Sequence, residues 1–304
     1  MKKAYQVNCW MYLSRRAVAA ALALSLFSIS LLAGADTGTP SSVWVISSGD
    51  QKVYLGGTVH LLRPSDYPLP EQYEKAYQDA DKLYFETDIS GMSDMGTQAR
   101  MLQQLTYQDE RTLESELNEE AYKALVSYLQ TAGLPIAMVQ KFKPGLLIST
   151  LSVIAMQKMG FSPQGVDAFF NTRAREDGKP VGQFESIDDQ IGFLATMGEG
   201  YESEYILLSL TDLAKTEVVA QMIDAWRSGD EDKLITLIID EMKAQSAELY
   251  ENILVSRNKH WLPMIEAMFS QQGTEFVLVG AAHLIGEEGL LQLLAGKGYT
   301  ISRL

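Results

Sequence analysis

Val53-Tyr54-Leu55-Gly56-Gly57-Thr58-Val59-His60-Leu61 and Val277-Leu278-Val279-Gly280-Ala281-Ala282-His283-Leu284 lie more than two hundred residues apart and read alike. Each is an apolar run that enters a glycine, then two small or apolar residues, then histidine and leucine. Apolar runs of this length bounded by glycine read as strands. The second run leads into a helical stretch from about Glu287 to Ala295 and then Tyr299-Thr300-Ile301, so the spacing predicts a βαβ unit with a parallel pair. In a parallel sheet the residues just past the carboxyl ends of the strands line the ligand crevice. A glycine there lets the backbone turn closely, and a histidine three residues on can point into the crevice.

Working outward, Val43-Trp44-Val45-Ile46 and Lys52-Val53-Tyr54-Leu55 flank Ser48-Gly49-Asp50 and read as a hairpin. Pro70 to Asp79 reads as a helix with proline near its start. The centre is helical: Glu116 to Thr131, stopping at Gly133 and Pro135, then Pro144 to Lys158, then Val166 to Glu176. From about Asp188 to Ala267 the pattern is helical again, with breaks near Gly198-Glu199-Gly200 and Ser228-Gly229-Asp230. The expected class is α/β, a mixed or parallel central sheet with large helical insertions.

Two glutamates complete the pattern. Glu86 closes Leu83-Tyr84-Phe85, and Glu185 closes Val181-Gly182-Gln183-Phe184. An acid after an aromatic at a strand end is either an exposed end or a buried carboxylate that needs a partner, a metal or a proton. A single strand-end histidine reads most simply as a hydrogen-bonded loop residue. Two in matching contexts, of three histidines in the whole chain, read as a site. The third, His260, falls in a helical stretch and is expected on its surface. Two imidazoles and two carboxylates, His60, Glu86, Glu185 and His283, suit a divalent ion with positions left open for water. Spacing leaves open which glutamate is a ligand and which a general base. There is no His-Glu-x-x-His helix, which excludes that zinc-protease arrangement.

The amino terminus predicts export. Lys2, Lys3, Arg15 and Arg16 precede an apolar run from Ala17 to Leu32 that ends in Ala33-Gly34-Ala35, the layout of a cleaved signal peptide over residues 1–35. The run is shorter than the roughly 20 residues a spanning helix needs, which argues against an uncleaved anchor. Cys9 would leave with it, so the mature chain has no cysteine for a disulfide. Asp36 to Ser42 reads as a linker and 43–304 as one domain. Loss of the four basic leader residues takes the net charge from −14 to −18. So acidic a protein is a poor partner for nucleic acid or anionic lipid, and no stable membrane insertion is expected after cleavage.

Gly57-Thr58-Val59-His60, Phe85-Glu86, Gly165-Val166-Asp167, Phe184-Glu185, Arg257-Asn258 with Trp261, and Gly280-Ala281-Ala282-His283 together resemble the TraB/GumN family, which includes the Tiki metalloproteases. The resemblance spans about residues 43–304. It implies two pseudo-symmetric α/β halves, a fold shared distantly with erythromycin-esterase-like and haem-binding ChaN-like proteins. It also implies manganese- or cobalt-dependent cleavage of a peptide or protein. By position it assigns His60 and Glu86 to the first half and Glu185 and His283 to the second. Arg257 matches the family's Arg-Asn pair, which points to oxyanion or substrate-carboxylate binding, or to a helix-surface salt bridge. The expected function is therefore an exported, periplasmic or secreted metal-dependent peptidase. A non-catalytic protein that sequesters a peptide or haem-like ligand and a metal-independent esterase are the alternatives.

Overall fold

The computed structural model describes residues 40–304, so the expected signal peptide and the first part of the linker lie outside the described residues. Six strands form one mixed sheet: β1 (Val43–Ser48), β2 (Gln51–Thr58), β3 (Lys82–Phe85), β4 (Val181–Gln183), β5 (Glu275–Gly280) and β6 (Thr300–Arg303). Their spatial order is β4-β3-β5-β2-β1-β6. β1 and β2 make the expected hairpin, antiparallel from Val43 opposite Gly56 to Ser48 opposite Gln51. Gly49 sits between them at φ +59°, the left-handed conformation that a two-residue hairpin turn favours. β5 is buried along nearly its whole length, as expected of a central strand covered on both faces.

The sheet departs from the sequence expectation in one respect. β5 and β6 run in the same direction, as a βαβ unit requires, but they do not pair. The hairpin stands between them: β5 pairs with β2 in parallel, and β6 pairs with β1 antiparallel. The parallel partners of β5 are β2 and β3, and β3 pairs in parallel with β4. Pairing partners are long-range choices that local periodicity does not encode.

The longer helices, numbered in chain order, are α1 (Glu71–Asp79), α2 (Met95–Leu105), α3 (Glu119–Ala132), α4 (Pro144–Lys158), α5 (Val166–Glu176), α6 (Ile187–Thr196), α7 (Glu202–Leu213), α8 (Thr216–Ser228), α9 (Ser256–Met268) and α10 (Leu290–Gly296). α4 and α5 match their predicted limits. α3 begins later than predicted because the Asn118 side chain accepts from Ala121 N–H and fixes the start there, and Gly133 in the left-handed region closes it. α10 likewise begins at Leu290, three residues past the predicted start.

Two cores result. The main one packs Leu55, Phe276, Val277 and Leu278 of the sheet against Tyr73, Phe170, Trp226 and Trp261. A separate helical core joins Leu125, Leu129, Leu147, Leu151, Ile206 and Leu210 of α3, α4 and α7. That second core is the helical insertion, which buries its own apolar faces. The end of the expected linker belongs to the fold. Ser41 and Ser42 are fully buried, Ser42 O accepts from Gly57 N–H at 2.7 Å, and Ser42 Oγ donates to Trp226 O at 2.7 Å. Among the described residues no helix is long and apolar enough to cross a membrane.

Candidate functional site

Because β4, β3, β5 and β2 are mutually parallel, their carboxyl ends share one edge of the sheet. In that order along the edge they present Glu185, Glu86, His283 and His60. The sequence pattern thus becomes a place, at the position where open α/β sheets hold ligands. β2 does not turn at its glycines, contrary to expectation, but continues through Gly56 and Gly57 to Thr58.

Arg257, on the first turn of α9, ties the edge together. Its Nε and Nη2 donate to Glu185 Oε1 at 2.8 Å and Oε2 at 2.9 Å. Nη2 also donates to Glu86 Oε2 at 2.6 Å, and Nη1 to His283 Nε2 at 3.1 Å and to Ile253 O at 3.3 Å. A guanidinium has five N–H donors, and these five contacts engage all of them. The segment just before α9, Glu251–Val255, is a π-helix, a form that concentrates at functional sites. The guanidinium also lies over the Trp261 ring, 4.7 Å from its centroid. The exposed helix-surface setting considered from the sequence is therefore ruled out: the Arg257 side chain is 9% exposed.

Glu185 accepts from four donors: the two of Arg257, Trp261 Nε1 at 2.9 Å, and Gln190 Nε2. A carboxylate has about four lone-pair directions, so Glu185 is saturated. Glu86 is less so. Its Oε2 takes Arg257, and its Oε1 takes the Gly280 N–H at 2.7 Å. A Cβ on Gly280 would stand 3.2 Å from that oxygen, so glycine here lets the carboxylate reach the backbone. Burial alone would push the Glu86 carboxyl up. His283, Arg257, His60 and the Gly280 N–H oppose it and bring it down to about 2. Of these Arg257 is the permanent cation, 2.6 Å away at Oε2.

His283 is held in one tautomer. The Asn258 Nδ2 donates to His283 O at 3.1 Å and to Glu288 O at 2.8 Å, so its Oδ1 faces His283 Nδ1, at 2.7 Å, as an acceptor. Nδ1 therefore carries the proton and Nε2 the lone pair that Arg257 contacts. Burial and then the Arg257 charge, against the pull of Glu86, lower the imidazole to about 3. Trp261 packs on the ring with centroids 4.4 Å apart.

His60 differs in setting. Its side chain is 71% exposed, at the mouth of the site, and Nδ1 donates to Asp167 Oδ2 at 2.9 Å. The Asp167 charge and then this hydrogen bond raise the imidazole, to about 9; solvent around so open a ring screens part of that field. Asp167 is delivered by a close approach of backbones. A Cβ on Gly165 would lie 2.1 Å from Val59 O, so only glycine lets the start of α5 meet the His60 turn. Val166 N–H then bonds Val59 O at 3.0 Å.

The structure therefore brings Glu86, Glu185, Arg257 and His283 into one hydrogen-bonded cluster, with His60 near enough for its charge to act on Glu86. Among the described residues no three His, Cys, Asp or Glu side chains are grouped so as to hold a metal ion. His260 is exposed on α9, as expected. Asp167, Asn258 and Trp261 were not named as site residues from the sequence, although each occurs in a quoted motif.

Residues 42–303 match the model of the TraB/PrgY/gumN family. Two relatives, each bearing the name "Uncharacterized protein YbaP", come from Escherichia coli (strain K12) and Shigella flexneri. Each is 26% identical over 254 residues, covering 81% of this chain and 89% of the relative. No solved structure matches.

Proposed function

The chain belongs to the TraB/PrgY/gumN family, and on that premise we propose that it is an exported, metal-dependent hydrolase that cleaves a peptide or protein in the cell envelope. One observation carries the reading. At the ends of adjacent strands two imidazoles each give Nδ1 to an oxygen, of Asp167 and of Asn258, which leaves Nε2 as the ligating nitrogen, open at His60 and met by Arg257 at His283. Metal-ligating histidines characteristically have such an outer partner.

His60, Glu86 and His283, two imidazoles and a carboxylate, are donor types that suit a divalent ion of the manganese or cobalt kind. Among the described residues they are not grouped closely enough to hold one as they stand, so binding would have to draw them together. When bound, such an ion polarises a carbonyl and lowers the pKa of water. Glu185 has no lone pair left for that task and instead holds Arg257. Glu86 is then the carboxylate open to either role, ligand or general base. Arg257 uses its donors on Glu86, Glu185, His283 and Ile253, so it acts as a positioning residue, with no free N–H for the oxyanion contact expected from the sequence.

Elemental analysis of the mature protein is expected to find about one divalent ion per chain. Manganese should support peptide cleavage, and His60→Ala should lose both ion and activity; unchanged turnover in that variant overturns the reading. The alternative is a metal-independent esterase with a histidine as base; Arg257 occupies His283 Nε2, which weighs against an ion there and leaves His60 as the base. Turnover that survives exhaustive chelation decides for it.

A further inference from the structure

Beside the cluster lies an apolar pocket of about 150 Å³, walled by Met101 and Leu105 of α2, Ile191 and Leu194 of α6, and Met197, with Arg257 also in its lining. Protein interiors hold few voids larger than a water molecule, and a dry cavity of this volume is known to accept a benzene-sized group. Most of this wall is only half-buried, so the apolar surface is presented rather than sealed. The pocket is continuous with the site: Arg257 belongs to both, and Gln190, also in its wall, donates to Glu185. The Arg257 N–H groups are all engaged, so a polar group entering here meets no free guanidinium donor, whereas an apolar group meets thioether and aliphatic carbon. Methionines adapt to occupants of different shape.

We propose that this pocket receives a bulky apolar side chain of the substrate, such as that of leucine, methionine or phenylalanine, next to the bond that is cut. The proposal rests on the hydrolase reading for what happens to the bond, but not for what the pocket binds.

The test separates the two. The full mature chain, labelled with ¹³C in its methionine methyl groups, is titrated with N-acetyl-leucinamide and with N-acetylglycinamide. The Met101 and Met197 methyl signals are expected to shift saturably with the first and at least about tenfold more weakly with the second. Leu194→Trp, which fills the pocket, should abolish the shift. The wild-type chain should also prefer peptides carrying leucine, methionine or phenylalanine over glycine or aspartate at one position. Methyl signals that ignore N-acetyl-leucinamide, or respond equally to both probes, overturn the pocket whatever the turnover. The wild-type titration stands even if the tryptophan variant does not fold. Selective shifts in a protein that cleaves nothing keep the pocket and remove the hydrolase.

Discussion

Arg257 and Glu185 form a two-point fork, Nε to Oε1 at 2.8 Å and Nη2 to Oε2 at 2.9 Å, between side chains that are 9% and 5% exposed. A bidentate pair of this kind fixes orientation as well as distance. In this protein it fixes the group from which Glu86 and His283 take their own positions.

Removal of one partner should therefore be costly. Glu185→Gln leaves the buried guanidinium without one of its two counter-charges, with Glu86 the other, and breaking a buried pair costs about 3–5 kcal/mol. The urea midpoint should fall accordingly at unchanged slope. Lys123→Ala serves as the contrast. The Lys123–Glu119 pair is 72% and 83% exposed, and exposed pairs contribute at most about 1 kcal/mol. Equal losses in the two variants would mean that the buried fork is not what organises the cluster.

Asp167 acts through His60. Asp167→Ala removes the acceptor on Nδ1 and with it the fixed direction of Nε2. Outer partners of this kind are worth roughly 10–100-fold in metal affinity. Calorimetric titration with manganese should show that loss, with Asp167→Asn recovering part of it because it keeps an oxygen in place. Identical affinity in wild type and Asp167→Ala would remove His60 from the proposed ion site.

Two glycines of the site should behave differently. In Gly165→Ala the new methyl would lie 2.1 Å from Val59 O and 2.3 Å from His60 C, both backbone atoms. Neither can give way without moving α5 off the His60 turn, so the cost should reach or exceed the upper end of the roughly 1–3 kcal/mol typical of overpacking. In Gly280→Ala the nearest atom is Glu86 Oε1 at 3.2 Å, the end of a side chain. That contact can relax by a few tenths of an ångström at the expense of the Gly280 N–H bond, and a loss near the lower end of the same range, about 1 kcal/mol, is expected. Thermal or urea denaturation ranks the two, and a reversed order would show that the approach of α5 to His60 is not tight.

How much of this was legible in the sequence depends on the range of the interaction. The four strand-end residues were legible because a parallel sheet brings all its carboxyl ends to one edge, so matching local patterns imply a shared location. The β5–β6 relation was legible only in direction. The hairpin that separates the two strands comes from the other end of the chain, and no local signal chooses between neighbours. Arg257 was ambiguous because an arginine on a helix is usually solvated. The sign that it is buried lies in its neighbours, since Val255, Asn258 and Trp261 share the buried face. Asp167 was readable in principle: Gly165-Val166-Asp167 puts an acid in the first turn of a helix that starts on a glycine. What it bonds to, His60, is 107 residues away. The helical insertion was legible in the sequence, but not that Leu125 and Leu129 of α3 would build a core separate from that of the sheet.

Glu275 gives a pH test away from the site. It begins β5, is 4% exposed, and its Oε2 has no hydrogen-bond partner among the described residues. Burial raises its pKa above the ordinary 4.5, Asp81 adds to the rise, and Lys82 opposes it. A carboxyl whose folded pKa exceeds its unfolded one binds its proton more tightly when folded. Stability therefore falls as pH climbs from the unfolded value through the folded one, and the penalty is complete above that. Below the unfolded pKa both states are protonated and the penalty vanishes. Glu275→Gln removes the ionisable group and should stabilise the protein at pH 7, with little difference from wild type near pH 4. Unfolding curves at both pH values decide the matter. A gain of the same size at each would assign the effect to shape or hydrogen bonding instead of charge, and a loss at pH 7 would mean that Lys82, across the strand, outweighs burial.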